Sequence, residues 1–486
     1  MPIIPFAEYK PDISDYEGTT TQTVLNVLPR GDGYGPFAAF SAYSSALTGT
    51  CRGFFRAIKS DGSAVIFAAT ATKLYKFNAT TLAWDDVSKA LGSYSSVSST
   101  DQWQFEQFNN YVIAVQANVV PQYFDISSST EFADLGGSPP QARYVSTVGR
   151  FLVLSGLLSN PFRVQWSGLN ALTTWTSGVN QSDYQDLPDG GVVRGVAGGE
   201  FGNIFQDNCI RRMTYVPGSP VIFQIERLTQ DRGLYAPYSL IRSGDKTFFL
   251  SAGGFYEMAS SGYPQPIGKE KVDRTFLADL DTGNLQLVLG SSDPRSSRVF
   301  WAYKSNSGTA GLFDKLLCYD WVLQRFAPIT LSGEYLGAMS QPGITLEGLD
   351  SISSSLDALT QSLDSYTAAV TPEIALFNSG HMMGFLRGTP MEATLQTAEQ
   401  GTDGQRLAIK NLRPVTDAAS VYGNVSIREN IQDTPTWKTE SQVNGRGQCN
   451  IRASGRYSRL QARIPAGTSW TYAAGIEPDI VLEGLR

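Results

Sequence analysis

Histidine is nearly missing from this chain. A single residue, His381, serves 486 positions. Ser-His-Asp and Cys-His catalysis would have to use that one side chain, and zinc sites with several histidine ligands are excluded. His381 stands in Asn378-Ser379-Gly380-His381-Met382-Met383-Gly384-Phe385. Nothing nearby supplies a nucleophile or an orienting partner, so it reads as a structural residue at a strand start. Cysteine is also sparse. Cys51, Cys209, Cys318 and Cys449 are widely scattered, and no pair has metal-ligand spacing. Cys209 and Cys318 lie in apolar, strand-like runs and read as buried, reduced thiols.

Charge is low. Charged residues make up 17% of the chain, against about 25% in ordinary globular domains. The net charge is −7 and there is no polybasic run, which argues against a sequence-specific grip on nucleic acid. Weak acidity suits a surface past which DNA slides without sticking. No apolar run approaches the roughly 18 residues of a membrane span. The opening Met1–Tyr9 has no charged n-region and is not expected to be a signal peptide, so synthesis in a cytoplasm is expected. No phosphate-binding loop, dinucleotide fingerprint or nucleophile elbow occurs. No catalytic, cofactor-binding or metal-ligating residue is expected.

What the chain does hold is glycine, serine, threonine and aromatics, the composition of many short strands joined by turns. Six apolar segments recur: Val65-Ile66-Phe67, Tyr111-Val112-Ile113, Phe151-Leu152-Val153, Asn203-Ile204-Phe205, Thr247-Phe248-Phe249 and Val299-Phe300-Trp301. Their middle residues are 46, 40, 52, 44 and 52 positions apart. Most are followed by a turn and a second aromatic strand, as in Leu74-Tyr75-Lys76-Phe77 or Arg163-Val164-Gln165-Trp166. A period near 45 with several short strands per unit marks β-propeller blades. The pairs Gly136-Gly137, Gly190-Gly191, Gly198-Gly199 and Gly253-Gly254 supply backbone free to take positive φ.

Four regions are expected. Residues 1–50, broken by Pro2, Pro5, Pro11, Pro29 and Pro36, form an extended arm that wraps a larger body or reaches a neighbouring subunit. Residues 51–342 hold six blades. In 343–373, Leu349, Ile352, Leu356, Leu359, Leu363 and Tyr366 repeat at alternating steps of 3 and 4, a short a/d seam. It reads either as a subunit-contact helix or tip insertion, or as a helix or loop packed on its own subunit. Residues 374–486 are β, with Val421, Gly423, Val425 and Ile427 alternating as in a half-buried strand. They either close the ring or form an accessory domain. The fold class is therefore all-β, a propeller of six to eight blades.

The remaining motifs read blandly. Arg30-Gly31-Asp32 precedes Gly33-Tyr34-Gly35-Pro36 and is a turn. The acidic groups Asp85-Asp86, Asp183–Asp186 and Asp279-Leu280-Asp281 are turn carboxylates, although a glycosidase would need such a pair. The stretch Ser167–Trp175 departs from the sialidase Asp-box.

Read in order, several pieces have a known counterpart. Pro5-Phe6-Ala7-Glu8-Tyr9-Lys10-Pro11-Asp12 and Leu25–Pro36 resemble the N-terminus of tail proteins from short-tailed bacteriophages. Arg163–Leu169 with Thr174-Trp175, Gln230–Gly233 with Phe248–Tyr256, and Gly455–Gly467 resemble later parts of the same proteins. The family is the tail nozzle, also called tail hub or packaged-DNA stabilisation protein. The resemblance implies a virion protein without enzymatic activity or cofactor. It implies a homohexameric ring below the head-to-tail adaptor, forming the DNA exit channel that retains packaged DNA and guides its ejection. The implied partners are the adaptor or connector, tail fibre, spike or plug proteins, and phage DNA passing without sequence-specific binding. The alternatives are a propeller that binds host-surface glycans, or a glycosidase.

Overall fold

The structure, a computed structural model, describes residues 3–16, 18–260, 262–339, 349, 353, 355–358, 372–401 and 405–483. Among them, seven four-stranded antiparallel sheets form the blades of a propeller. Blades 1 to 6 span 53–86, 104–134, 142–186, 193–227, 241–266 and 289–333, each a meander in chain order. Blade 7 takes Tyr335–Met339, Glu373–Phe377 and Met382–Phe385 from one part of the chain, and its outer strand, Ser41–Ala46, from far upstream. Gly384 lies opposite Ala42 and Phe385 opposite Ser41. The inner strand of blade 7 packs beside that of blade 1, which closes the ring.

The recurring apolar segments are the second strands of blades 1 to 6, for example Tyr111–Val115 and Phe151–Leu157. These strands are buried on both faces because a neighbouring blade packs on each side. They therefore read as continuous apolar runs and not as alternations. Phe151–Leu157 is buried at every position. The seventh copy, Ile374-Ala375-Leu376-Phe377, falls outside the period because residues 340–371 intervene between the first two strands of its blade. In each glycine pair the second residue takes positive φ: Gly137 80°, Gly191 83°, Gly199 142° and Gly254 126°. Cores form between blades from facing aromatics. Phe255 and Trp301 lie 4.5 Å apart between their ring centroids, and Trp301 Nε1 donates to Ser239 O at 2.9 Å, tying blade 6 to the start of blade 5. All four cysteines are free and buried.

Residues 393–483 form a β-sandwich beside the ring, completed by residues 4–36. One sheet runs Cys449–Gly455, Arg406–Thr416, Ala473–Glu483, Gly33–Pro36 and Val27–Arg30, with Ile4–Pro5 on its edge. The other runs Thr436–Trp437, Tyr422–Arg428, Tyr457–Ile464, Ala393–Gln396 and Val24–Leu25. Tyr34, Leu412, Val425, Leu460 and Ile476 fill the space between. Tyr34 donates its hydroxyl to Ala7 O at 2.8 Å, so a fully buried tyrosine has its polar atom satisfied.

The expected boundaries shift accordingly. Residues 1–50 are not one arm: 4–36 belong to the sandwich and 41–46 to blade 7. The region after 374 does both things it was expected to choose between. Residues 373–385 complete the seventh blade, and 393–483 form the accessory body.

The two bodies are stitched at blades 5 and 6. Asn26, in the left-handed region at φ 57°, donates its backbone N to Pro328 O at 3.1 Å. Its side chain accepts from Thr330 N at 2.8 Å and donates to Glu392 O at 2.9 Å. Arg298 donates to Pro29 O and Arg325 to Arg30 O, both at 2.9 Å. Asp12 accepts from the backbone N of Arg274 and of Thr275, both at 2.8 Å, at the start of the helix Asp273–Asp279.

Candidate functional site in the propeller channel

Seven inner strands surround the propeller axis: Gly53–Ile58, Gln104–Phe108, Ala142–Val148, Val193–Ala197, Ile241–Ser243, Leu289–Asp293 and Tyr335–Met339. Where these strands begin, a layer of hydrogen bonds crosses the axis. Gln102 of blade 2 donates its backbone N to Tyr238 Oη at 2.8 Å, at the entry to blade 5. Its side chain donates to Gln286 O at 3.0 Å, at the entry to blade 6, and accepts from Arg52 Nε at 2.7 Å. Blade 2 is adjacent to neither blade 5 nor blade 6 in a ring of seven, so bonds from Gln102 to both of them must span the axis. The Tyr144 and Tyr238 rings, 6.2 Å apart, add an aromatic contact from blade 3 to blade 5. Burial holds both phenols well above their ordinary titration range.

A cavity of about 310 Å³ lies against this layer, lined by residues of all seven inner strands or the segments leading into them. Its polar groups include Gln104, Glu106, Ser146, Thr147 and Arg242. Phe55 and Phe105 stack at 6.0 Å on its wall. Glu106 sits deep within the ring with part of its surface against the cavity. Desolvation raises its carboxyl from the ordinary 4.5 to about 7, against the smaller opposing effects of a hydrogen bond from Thr147 and the charge of Arg242. A second depression, about 620 Å³, lies where the inner strands begin and includes Thr48, Thr50, Arg52, Lys73 and Glu334.

His381 borders that second region and is better partnered than its local sequence implies. Its Nδ1 lies 2.5 Å from Glu334 Oε1, and Glu334 Oε2 accepts from Cys51 N at 2.8 Å. The sequence reading found no orienting partner because Glu334 lies on another strand connection, 47 residues away. No nucleophile is supplied with it. Cys51 is fully buried, its thiol donates to Gly53 O, and burial pushes its pKa far up, away from reactive thiolate. His381 itself sits at φ 62° in the turn before Met382–Phe385.

Of the heptad-spaced residues, Ile352, Leu359, Leu363 and Tyr366 lie outside the described residues. Leu349 is buried, and Leu356 begins the 3₁₀ turn Leu356–Ala358. The acidic groups are engaged where they stand. Asp86 pairs with Lys73, Asp186 with Arg163, Asp279 with Lys315 and Asp281 with Lys304. The Arg30-Gly31-Asp32 tripeptide caps a two-residue hairpin, with Arg30 opposite Gly33. Among the described residues, no cluster of His, Cys, Asp and Glu could hold a metal ion, and no helix is long and apolar enough to cross a membrane.

Glu106 and Arg242 escaped the sequence reading. Each is one charged residue in a short strand, and nothing in the sequence brings blade 2 to blade 5. The only signal was Glu106 itself, a lone carboxylate in Gln104-Phe105-Glu106-Gln107-Phe108, just ahead of the recurring segment Tyr111-Val112-Ile113.

No protein-family model matches the chain, and no curated protein matches it. Among solved structures, the extracellular domain of the B. thetaiotaomicron protein BT4673 aligns at a TM-score of 0.40 and 12% identity, covering 72% of this chain. The chain spans only 39% of that domain's length. The computationally designed Ika8 protein aligns at 0.37 and 9% identity, over 71% of this chain and 99% of Ika8. BamB from Moraxella catarrhalis aligns at 0.29 and 10% identity, over 63% and 92%.

Proposed function

We propose that the chain is a structural subunit of a short-tailed phage virion, the tail nozzle or hub, working as a homohexameric ring. The reading rests on the ordered resemblance of Pro5–Asp12, Leu25–Pro36, Gln230–Gly233, Phe248–Tyr256 and Gly455–Gly467 to that family. Most of these pieces belong to the sandwich or to blade 5, and the sandwich is stitched through Asn26 to blade 6 and through Asp12 to the helix that follows blade 5. In this reading they make one rigid subunit wall.

The propeller axis is not the DNA path in this reading. Its cavity is about 310 Å³ and is closed at one end by the Gln102 layer, whereas a duplex has a major groove alone about 12 Å wide. DNA would travel between subunits, around an axis outside any single propeller. The net charge of −7 favours passage over capture. Heterologous contacts that close into a ring are the symmetry this requires.

Negative-stain imaging of the purified protein mixed with a portal–adaptor complex tests the proposal. Six-fold rings docked below the adaptor are expected. Monomers that persist and never dock would overturn it.

A further inference from the structure

The cavity in the propeller channel carries two opposite charges that form no ion pair with each other. Glu106 Oε1 accepts from Thr147 N at 3.1 Å, and its second oxygen has no hydrogen bond among the described residues. Arg242 donates one Nη1–H to Gly198 O at 2.5 Å and is otherwise exposed. Neither enters an ion pair among the described residues, although the side chains on this fold pair freely elsewhere, as Arg163 does with Asp186. Glu106 belongs to the inner strand of blade 2 and Arg242 to that of blade 5. They line one cavity from non-adjacent blades without pairing across it.

The rest of the lining complements those charges. The stacked pair Phe55–Phe105 offers an apolar wall. Ser146, Thr147 and Gln104 offer neutral hydrogen-bonding groups. The Gln102–Tyr238 layer closes the end where the inner strands begin, which makes the space a dead end and not a passage. Its volume falls at the small end of the range of about 300–1,000 Å³ in which small-molecule sites occur. A carboxylate partly withdrawn from water with no cation in contact costs free energy until one reaches it, and the exposed Arg242 leaves its guanidinium free to meet the other end of the same molecule.

We infer that this cavity binds a small zwitterion of amino-acid size. Its ammonium sits at Glu106, its carboxylate at Arg242, and its side chain lies against Phe55 and Phe105. The inference is independent of the virion reading. It needs only the monomer, and either can fail without the other.

Calorimetric titration of the full-length protein with each protein-type amino acid in turn tests it, alongside butylamine, butyrate and glucose. At least one amino acid with an apolar side chain should bind saturably, about tenfold or more tighter than butylamine or butyrate. Glu106→Gln and Arg242→Gln should each weaken that binding about tenfold or more while each variant keeps a cooperative circular-dichroism melt. Should a variant fail to fold, competition on the parent protein decides: butylamine and butyrate must each displace the amino acid. Absence of saturable binding by any amino acid overturns the inference. So does butylamine binding as tightly as the best amino acid, which would make the site a simple cation site, or glucose binding in its place.

Discussion

The propeller and the sandwich are both antiparallel β bodies, yet the chain builds them in opposite ways. Blades 1 to 6 pair strands that follow each other in sequence, through short hairpins. The sandwich sets Ile4 opposite Ile476 and Leu25 opposite Thr394. Neighbouring strands close small loops at little entropic cost, while long-range pairings must wait for distant segments to meet. The propeller therefore holds most of its own specification. The sandwich depends on the ring to bring its two halves together, and the joint around Asn26 is where that dependence is physically expressed.

The sharpest way to break this comparison is to cut it. A fragment of residues 37–391 keeps all seven blades, including Ser41–Ala46 and the backbone bond from Met391 N to Phe37 O. It should fold and melt cooperatively alone, whereas the remaining two pieces, mixed together, should show no cooperative transition. A fragment without a cooperative melt would mean that the ring needs the sandwich. Within the propeller, Trp301→Ala removes a fully buried ring and its bond to Ser239. We expect a loss of about 3–5 kcal/mol by denaturant titration. At the joint, Asn26→Ala deletes the two side-chain hydrogen bonds and leaves a left-handed backbone without glycine or asparagine. A loss of about 2–3 kcal/mol is expected, read best as earlier proteolysis of residues 1–36.

A pH-dependent change comes next. The folded state raises the Glu106 carboxyl to about 7, so the folded protein holds that proton more tightly than the unfolded chain. Below about pH 4.5 the group is protonated in both states and has no linked cost. As pH climbs from there through 7, stability falls. Glu106→Gln should then melt like the parent near pH 4 and exceed it at pH 8. The gain should be about 1–2 kcal/mol, less than the full linkage value because cavity water screens part of the charge. The smallest effect belongs to the hairpin tip: Arg30→Ala, which removes an exposed ion pair to Asp32, should leave the melting temperature unchanged within error.

Which elements could be read from sequence follows from the same contrast. The second strands were legible because two-sided burial writes an unbroken apolar run, as in Phe151-Leu152-Val153-Leu154. The closing strand Ser41-Ala42-Tyr43-Ser44-Ser45-Ala46 was not. It is the outermost strand, mostly exposed and mostly small or polar, and its partner Met382–Phe385 lies far downstream. The strands among residues 4–36 looked like an arm because each is two to four residues long. Their apolar positions make sense only against Leu412 or Ile476. The charges in the channel failed for a related reason: each is one residue per strand, and closure of the ring, not spacing, brings them to a common space.

The order of synthesis gives the sandwich one more meaning. Residues 4–36 leave the ribosome more than 400 residues ahead of their partners in 473–483. At roughly 5–20 residues per second, the wait is on the order of tens of seconds. Through that interval the early strands have open edges and no core. An interrupted translation product is therefore not a smaller version of this protein. It carries a nearly finished ring with early strands that can tie to blades 5 and 6 but have no sandwich core to fold into.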